Sequence, residues 1–164
     1  MARKTFFSFH YAPDNWRASQ VRNIGAIEGN AALSDNDWEA VKKGGDPAIQ
    51  QWIAGQLKGR ICTIVLVGEN TAGRKWITYE IKESWKAKLG VVAVRIHNLK
   101  NQDSLKSKAG GNPFEGITVG ATPLSSIAKL YNPLGATSAD VYNSIGKSIE
   151  AWVDEAIRIR SNFS

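Results

Sequence analysis

The stretch Ile61-Cys-Thr-Ile-Val-Leu-Val-Gly68 decides the fold, because it is an unbroken apolar run rich in β-branched residues. Such a run is typical of a strand buried on both faces, as in a parallel sheet. After a short polar turn comes Trp76-Ile-Thr-Tyr-Glu80-Ile81, which has the spacing of a helix. The two segments together predict a strand–helix unit of an α/β protein. Cys62, the single cysteine of the chain, is expected to be buried in the strand.

Strand and helix signals alternate on both sides of this unit. Short β-rich runs predict strands over residues 5–9, 25–28 and 91–96, and a short fifth strand over 116–120. Helices are predicted to begin near Pro13, near Ser34 and at Asp46, and to run over 74–88 and 138–160. In the first helix, Trp16 is expected to face the sheet. The alternation predicts one domain, residues 1–164, with a doubly wound sheet.

Composition and charge narrow the class of protein. An apolar fraction of 43% is ordinary for a globular domain, and no run is long enough to cross a bilayer. The N-terminal apolar stretch is too short for a signal peptide, so we expect a cytoplasmic protein without a membrane partner. The net charge of +6 permits a nucleic-acid-binding α/β module. However, the basic residues are spread over several elements without an RNA-binding pattern, so no nucleic-acid partner is expected.

Most catalytic motifs of α/β proteins are missing from the sequence. There is no G-x-G-x-x-G, no G-x-x-x-x-G-K-[ST] and no G-x-S-x-G, which argues against a dinucleotide fold, a P-loop and a nucleophile elbow. Two histidines, His10 and His97, and one cysteine cannot form a Cys/His zinc site, so no metal is expected. Glu80 remains, a carboxylate in the early turns of a helix that follows a central strand. Ligands of such folds bind beyond the carboxyl ends of the strands.

Helical spacing places Glu80 at the border of the buried face. One stripe of the helix should face the sheet and the next should contain the glutamate. A carboxylate in a partly apolar niche can have a raised pKa, or can stabilise a developing cation. The alternative, which spacing alone favours, is an exposed glutamate paired with Lys86 or Arg74. The first stripe consists of Ile77, Ile81 and Trp85, and the second of Trp76, Glu80 and Ser84.

Several short motifs between residues 6 and 114 are shared with one known family. The first strand carries Phe6-Phe-Ser-Phe-His-Tyr11, and the helix carries Arg74-Lys-Trp-Ile-Thr-Tyr-Glu-Ile-Lys82 with its Trp-x-x-x-Glu element. The other matching pieces are Val21-Arg-Asn23, Trp38-Glu39, Lys42-Lys43, Lys106-Ser-Lys108 and Asn112-Pro-Phe114. In these motifs the chain resembles the Toll/interleukin-receptor (TIR) domain, and more narrowly the TIR-like proteins of the bacterial Thoeris anti-phage system.

The resemblance implies a flavodoxin-like three-layer α/β sandwich around a mostly parallel five-stranded sheet. It also implies an enzyme, an NAD glycohydrolase and ADP-ribosyl cyclase, with Glu80 as the catalytic carboxylate. Such an enzyme releases nicotinamide and makes a cyclic ADP-ribose isomer. NAD would be the substrate, without a further cofactor. The diffusible cyclic nucleotide would then activate a separate effector.

The resemblance also suggests which residues bind the substrate. The predicted set is Phe7, Ser8, His10, Tyr11, Trp38 and Trp76, with the aromatic residues as walls of a ring-binding cleft. In many TIR enzymes head-to-tail association completes the active site, so a second copy of the chain is a further possible partner. The alternative function is a non-catalytic TIR-like adaptor that only recruits partners.

Overall fold

A computed structural model describes residues 3–25, 27–30 and 35–163, without the side chains of residues 35–38. The helix capping expected from Ser34 lies outside the described residues. The strands in this part are β1 (Arg3–Phe9), β2 (Ile27–Glu28), β3 (Cys62–Val67), β4 (Gly90–Arg95), β5 (Thr118–Val119), β6 (Thr122–Pro123) and β7 (Lys129–Tyr131). The helices are α1 (Tyr11–Arg22), α2 (Asp35–Lys43), α3 (Gly45–Leu57), α4 (Lys75–Lys86) and α5 (Ser138–Ser161), with a 3-10 turn at Leu124–Ser126.

Five strands form the central sheet in the order β2-β1-β3-β4-β7, and every neighbouring pair is parallel. The predicted flavodoxin-like α/β fold with a parallel five-stranded sheet is therefore confirmed. The order reverses direction between β1 and β3, which makes their carboxyl ends the topological switch point. Ligands of open α/β sheets bind at this point.

The two faces of the sheet differ in character. Side chains alternate along each strand, so Phe7, Cys62 and Ile64 point to one face, where α1 and α5 complete an apolar core. Phe6 and Val65 lie on the opposite face in two smaller apolar clusters, which include α3 and α4 residues. We call these the α1/α5 face and the α3/α4 face. Cys62 is fully buried as predicted, and burial raises the pKa of its thiol far above the usual range.

A short strand does form within the predicted segment 116–120, but it does not belong to the central sheet. Part of this segment forms β5, which pairs antiparallel with β6 in a separate two-stranded ribbon. The fifth strand of the central sheet is β7, where Lys129–Tyr131 pairs with Val92–Val94 of β4. A strand of three residues is too short to show a period in the sequence, whereas the glycines at 116 and 120 mark the ends of a plausible strand.

The expectation that Trp16 faces the sheet is also wrong, since this residue is 54% exposed. Helix α1 begins at Tyr11, and its buried face consists of Asp14, Arg17, Ala18 and Val21. The Arg17 guanidinium pairs with Asp14 and donates hydrogen bonds to the carbonyls of Leu99 and Leu105, at 2.7 and 2.8 Å. These carbonyls belong to the long loop after β4. The Asp14–Arg17 pair, and not the indole of Trp16, therefore lies on the buried side of α1.

The connection from α4 to β4 turns at Lys88, which has a φ of +65° although it is not a glycine. Leu89 N–H then donates to the Ser84 carbonyl and closes the helix end. Among the residues described, no helix is both long enough and apolar enough to cross a bilayer.

Candidate active site at the carboxyl ends of β1 and β3

A cleft of about 1030 Å³ lies at the switch point of the sheet. Three segments of the chain meet there, because β1 runs into α1, the β3–α4 loop lies beside it, and α2 contributes Glu39 and Lys42. The lining residues described are Phe9, His10, Tyr11, Ala12, Glu39, Lys42, Asn70, Ala72, Gly73, Arg74, Lys75, Trp76, Ile77 and Glu80. The predicted catalytic carboxylate therefore lies in the cleft where this class of fold binds ligands.

Glu80 is only 8% exposed and lies on the buried side of α4. The Ser8 hydroxyl of β1 donates a 2.6 Å hydrogen bond to its Oε1. Among the described residues, Glu80 has no cationic partner within ion-pair distance. The alternative of an exposed glutamate paired with Lys86 or Arg74 is therefore wrong. Lys86 instead pairs with Glu83, at 3.1 Å.

Burial raises the pKa of Glu80 to about 8, and the hydrogen bond from Ser8 acts in the opposite direction. Desolvation disfavours a carboxylate, whereas a donor that binds the charged form favours it. Burial thus works against the carboxylate form of Glu80, and the hydrogen bond from Ser8 favours it. A bound cation would favour the carboxylate form, because its charge replaces part of the lost hydration.

Two hydroxyl groups hold the helical turn that carries Glu80. Ser84 Oγ donates to the Glu80 carbonyl at 2.6 Å, and it is also 2.7 Å from Thr63 Oγ1 of β3. A serine hydroxyl has one proton, so the Thr63 hydroxyl must be the donor in the second bond. Both side chains are fully buried.

Aromatic rings form part of the cleft wall. Phe9, at the end of β1, stacks on Tyr11, the first residue of α1, with ring centroids 6.0 Å apart and planes 27° apart. On α4, Trp76 also lines the cleft and packs edge-on against Tyr79, and the Lys75 ammonium lies 4.8 Å from the centroid of the Trp76 ring. Flat walls of this kind suit the heterocyclic rings of a nucleotide.

Positive charge gathers at the start of α4. Arg74 and Lys75 line the cleft there with Lys42. Lys75 pairs with Asp46 and Lys42 with Glu39, whereas Arg74 has no carboxylate partner among the described residues. The side chain of the N-cap residue, Arg74, does not cap the first N–H groups of α4, so this end of the helix adds a partial positive charge. The arrangement is suited to phosphate groups.

His10 precedes the first residue of α1 and lines the cleft. Burial, together with the nearby positive charge of Arg74, lowers the pKa of this imidazole below its usual range. The ring is therefore neutral at pH 7. Its buried Nδ1 has no hydrogen-bond partner among the described residues.

The structure brings together most of the predicted substrate-binding residues but not all. His10, Tyr11 and Trp76 line the cleft beside Glu80, and Ser8 lies beneath the carboxyl group. Phe7 does not line the cleft, because alternation along β1 turns its ring into the α1/α5 face, where it is 2% exposed. Trp38 lies on α2, but its side chain is outside the described residues.

Sequence reasoning missed Phe9 and the role of the α4 start. Phe9 has the same strand parity as Phe7, and only its position at the strand end brings it to the cleft. Arg74 and Lys75 could have been found from their place at the start of a helix, where cations are unusual. Within the part of the chain that the structure describes, no three His, Cys, Asp or Glu side chains are grouped to hold a metal ion.

Fold and site together define a flavodoxin-like α/β domain with a buried carboxyl group at its switch point. Residues 6–101 match the family described as Thoeris protein ThsB, TIR-like domain. Over 121 residues the chain is also 36% identical to a Bacillus cereus (strain MSX-D12) protein named "Putative cyclic ADP-D-ribose synthase ThsB1". That alignment covers 70% of this chain and 62% of the relative's length. The chain belongs to the TIR-like family of the Thoeris protein ThsB.

Proposed function

We propose that this protein cleaves NAD between nicotinamide and ribose and makes a cyclic ADP-ribose isomer as a defence signal. The observation that carries the proposal is the buried Glu80 in a cleft with cationic and aromatic walls. The relative named as a cyclic ADP-D-ribose synthase supports the same reaction. The signal would act in the cytoplasm on a separate effector, and no cofactor beyond the substrate is required.

The chemistry suits a single carboxylate. Nicotinamide leaves as a neutral molecule with the electron pair of the glycosidic bond, so its departure needs no general acid. The ribosyl group that remains has oxocarbenium character at its anomeric carbon, as in glycoside cleavage. The Glu80 carboxylate would stabilise this positive charge. Its Oε1 accepts the hydrogen bond from Ser8, and no described residue donates a hydrogen bond to Oε2, which leaves that oxygen for the substrate.

The cleft also accounts for the rest of the substrate. The positive ring of nicotinamide would shift Glu80 toward its carboxylate form as it binds. Arg74 and the start of α4 would hold the diphosphate, and the stacked pair of Phe9 and Tyr11 would hold a ring. Cyclisation follows when a nucleophile of the same ADP-ribose reaches the anomeric carbon before water does. A proton on that nucleophile is released as the new bond forms.

The test is incubation of the purified protein with NAD, with and without phage-derived activation, followed by chromatography and mass measurement of the products. We expect nicotinamide and a cyclic ADP-ribose isomer from the native protein, and at least a hundredfold lower release from Glu80→Gln. Glu83→Gln is the matched control, because Glu83 lies on the same helix outside the cleft lining.

Equal nicotinamide release by native protein and Glu80→Gln would refute the catalytic role. Absence of release under every condition, with intact folding, would favour the non-catalytic adaptor. Tight nucleic-acid binding that weakens steeply with salt would instead favour the nucleic-acid-binding module.

A further inference from the structure

A line of buried hydroxyl groups connects β1, β3 and α4 directly beneath the cleft. Ser8 binds the Glu80 carboxyl group, and the Thr63–Ser84 pair binds its backbone carbonyl. We propose that Ser8 and Thr63 are positioning residues for Glu80, with separate tasks. Ser8 sets the charge state and orientation of the carboxyl group, while Thr63 fixes the helical turn that carries it. This inference rests on the proposed function.

The task of Ser8 follows from the direction of its hydrogen bond. The hydroxyl donates to Oε1 at 2.6 Å, a length typical of a charge-assisted bond to a carboxylate. Such a donor favours the ionised form, against the effect of burial. It also restrains the side-chain torsions and directs the carboxyl group toward the cleft. Loss of the donor should therefore make Glu80 harder to ionise.

No other described group provides this interaction with the carboxyl group. The titratable residues that share the cleft with Glu80 are His10 after β1, Tyr11 at the start of α1, Glu39 and Lys42 on α2, and Arg74 and Lys75 at the start of α4. Of these, His10, Glu39, Arg74 and Lys75 form no ion pair or hydrogen bond with it within the described part of the chain. The hydrogen bond from Ser8 is the interaction that opposes the effect of burial on its pKa.

The task of Thr63 follows from its place in the sheet. Thr63 is the second residue of β3, paired with Phe6 of β1 on one side and Val91 of β4 on the other. Its hydroxyl reaches α4 through Ser84, so the turn from Glu80 to Ser84 is tied to a strand that cannot shift by itself. A displacement of 1 Å at a catalytic group can reduce the rate a hundredfold.

Thr5 provides a matched control on the neighbouring strand. It is as fully buried as Thr63, but its hydroxyl has no hydrogen-bond partner among the described residues. Thr5→Val and Thr63→Val thus make the same chemical change at two buried strand positions. Only the second removes a bond to α4.

The experiment measures Glu80 in the substrate-free protein and the turnover of NAD in parallel. The carboxyl titration is followed by ¹³C NMR, with Glu80→Gln to assign the signal. In Ser8→Ala we expect the titration midpoint to rise by about one pH unit and kcat to fall about tenfold. In Thr63→Val we expect an unchanged midpoint, about a tenfold lower kcat with KM retained, and faster hydrogen exchange in this turn of α4.

Thr63→Ser should restore turnover because it keeps the hydroxyl, and Thr5→Val should change none of these quantities. An unchanged midpoint in Ser8→Ala would overturn the role of Ser8. Equal effects of Thr63→Val and Thr5→Val on turnover or exchange would overturn the role of Thr63. If the native protein does not cleave NAD, the proposed function fails, but the titration and the exchange still decide the two positioning roles.

Discussion

The two faces of the central sheet are built from the same strands but serve different purposes. On the α1/α5 face, one apolar cluster extends continuously from β1 to β4. On the α3/α4 face the apolar residues form two separate clusters, and Ser8, Thr63, Ser84 and Glu80 belong to neither. The buried hydroxyl groups that hold Glu80 thus lie on one face of the sheet. We therefore expect substitutions of core residues on the α1/α5 face to reduce stability, and substitutions of the polar residues on the α3/α4 face to reduce activity.

The largest expected effect is on the stability of the α1/α5 face. Ile64 of β3 is fully buried there, so Ile64→Ala should lower the free energy of unfolding by about 3–4 kcal/mol. Urea denaturation followed by circular dichroism measures the change. The folded fraction should keep its specific activity, because Ile64 does not line the cleft. A loss of activity in fully folded protein would contradict the division between the faces.

The second effect has the opposite sign and depends on pH. The pKa of Glu80 is raised from 4.5 to about 8 in the folded state, so the acid favours folding when protonated and opposes it when ionised. Its contribution is fully present below pH 4.5 and is lost as the pH rises to about 8. Glu80→Gln, which cannot ionise, should therefore be more stable than the native protein at pH 8, by on the order of a few kcal/mol.

Thermal unfolding at several pH values tests this prediction. The difference in melting temperature between Glu80→Gln and the native protein should shrink steadily between pH 8 and pH 4.5. Glu83→Gln, at a half-buried position of the same helix outside the cleft lining, should show no such trend. A constant difference across this range would mean that Glu80 is not a desolvated acid.

A smaller effect is expected at the mouth of the cleft. Arg74→Gln should raise KM for NAD about tenfold with kcat nearly unchanged, because under the proposed function Arg74 would bind the diphosphate equally in ground and transition states. Steady-state kinetics of nicotinamide release measure both constants. Lys86→Gln removes a cation from the same helix outside the cleft and should leave KM unaffected. Equal changes in the two variants would show that only overall charge matters.

The smallest effect is expected at the turn after α4. Lys88 has a φ of +65°, a conformation that glycine adopts without strain, so Lys88→Gly should stabilise the protein by about 0.5–1 kcal/mol. Lys82→Gly, at an exposed position inside the helix, should destabilise it by a similar amount. Chemical denaturation of the pair gives the comparison. A destabilised Lys88→Gly would mean that the lysine side chain contributes more than the backbone strain costs.

The fold could be predicted from the sequence where the pattern was strong and local. The apolar runs of β3 and β4 identified the central strands, and Trp76 and Glu80 matched a family motif. In contrast, β7 consists of three residues that acquire strand geometry only by pairing with β4. Its role depends on contacts across more than 30 residues of intervening chain, which periodicity does not report.

The site was predicted only as far as residue type and strand order allowed. Glu80, His10, Tyr11 and Trp76 follow from the motif and from positions at strand ends. Phe7 and Phe9 have the same parity, so choosing between them requires knowing where β1 ends relative to the cleft. The Thr63–Ser84 bond joins residues 21 positions apart, and no local pattern predicts it.

Cys62 offers a practical way to follow the α1/α5 face. The thiol is the only one in the chain, it is fully inaccessible, and its reactive thiolate form is suppressed by burial. A thiol reagent can therefore modify the native protein only when the sheet opens, so the labelling rate reports unfolding without any engineered probe. A second cysteine introduced at an exposed position could be labelled selectively in the folded state.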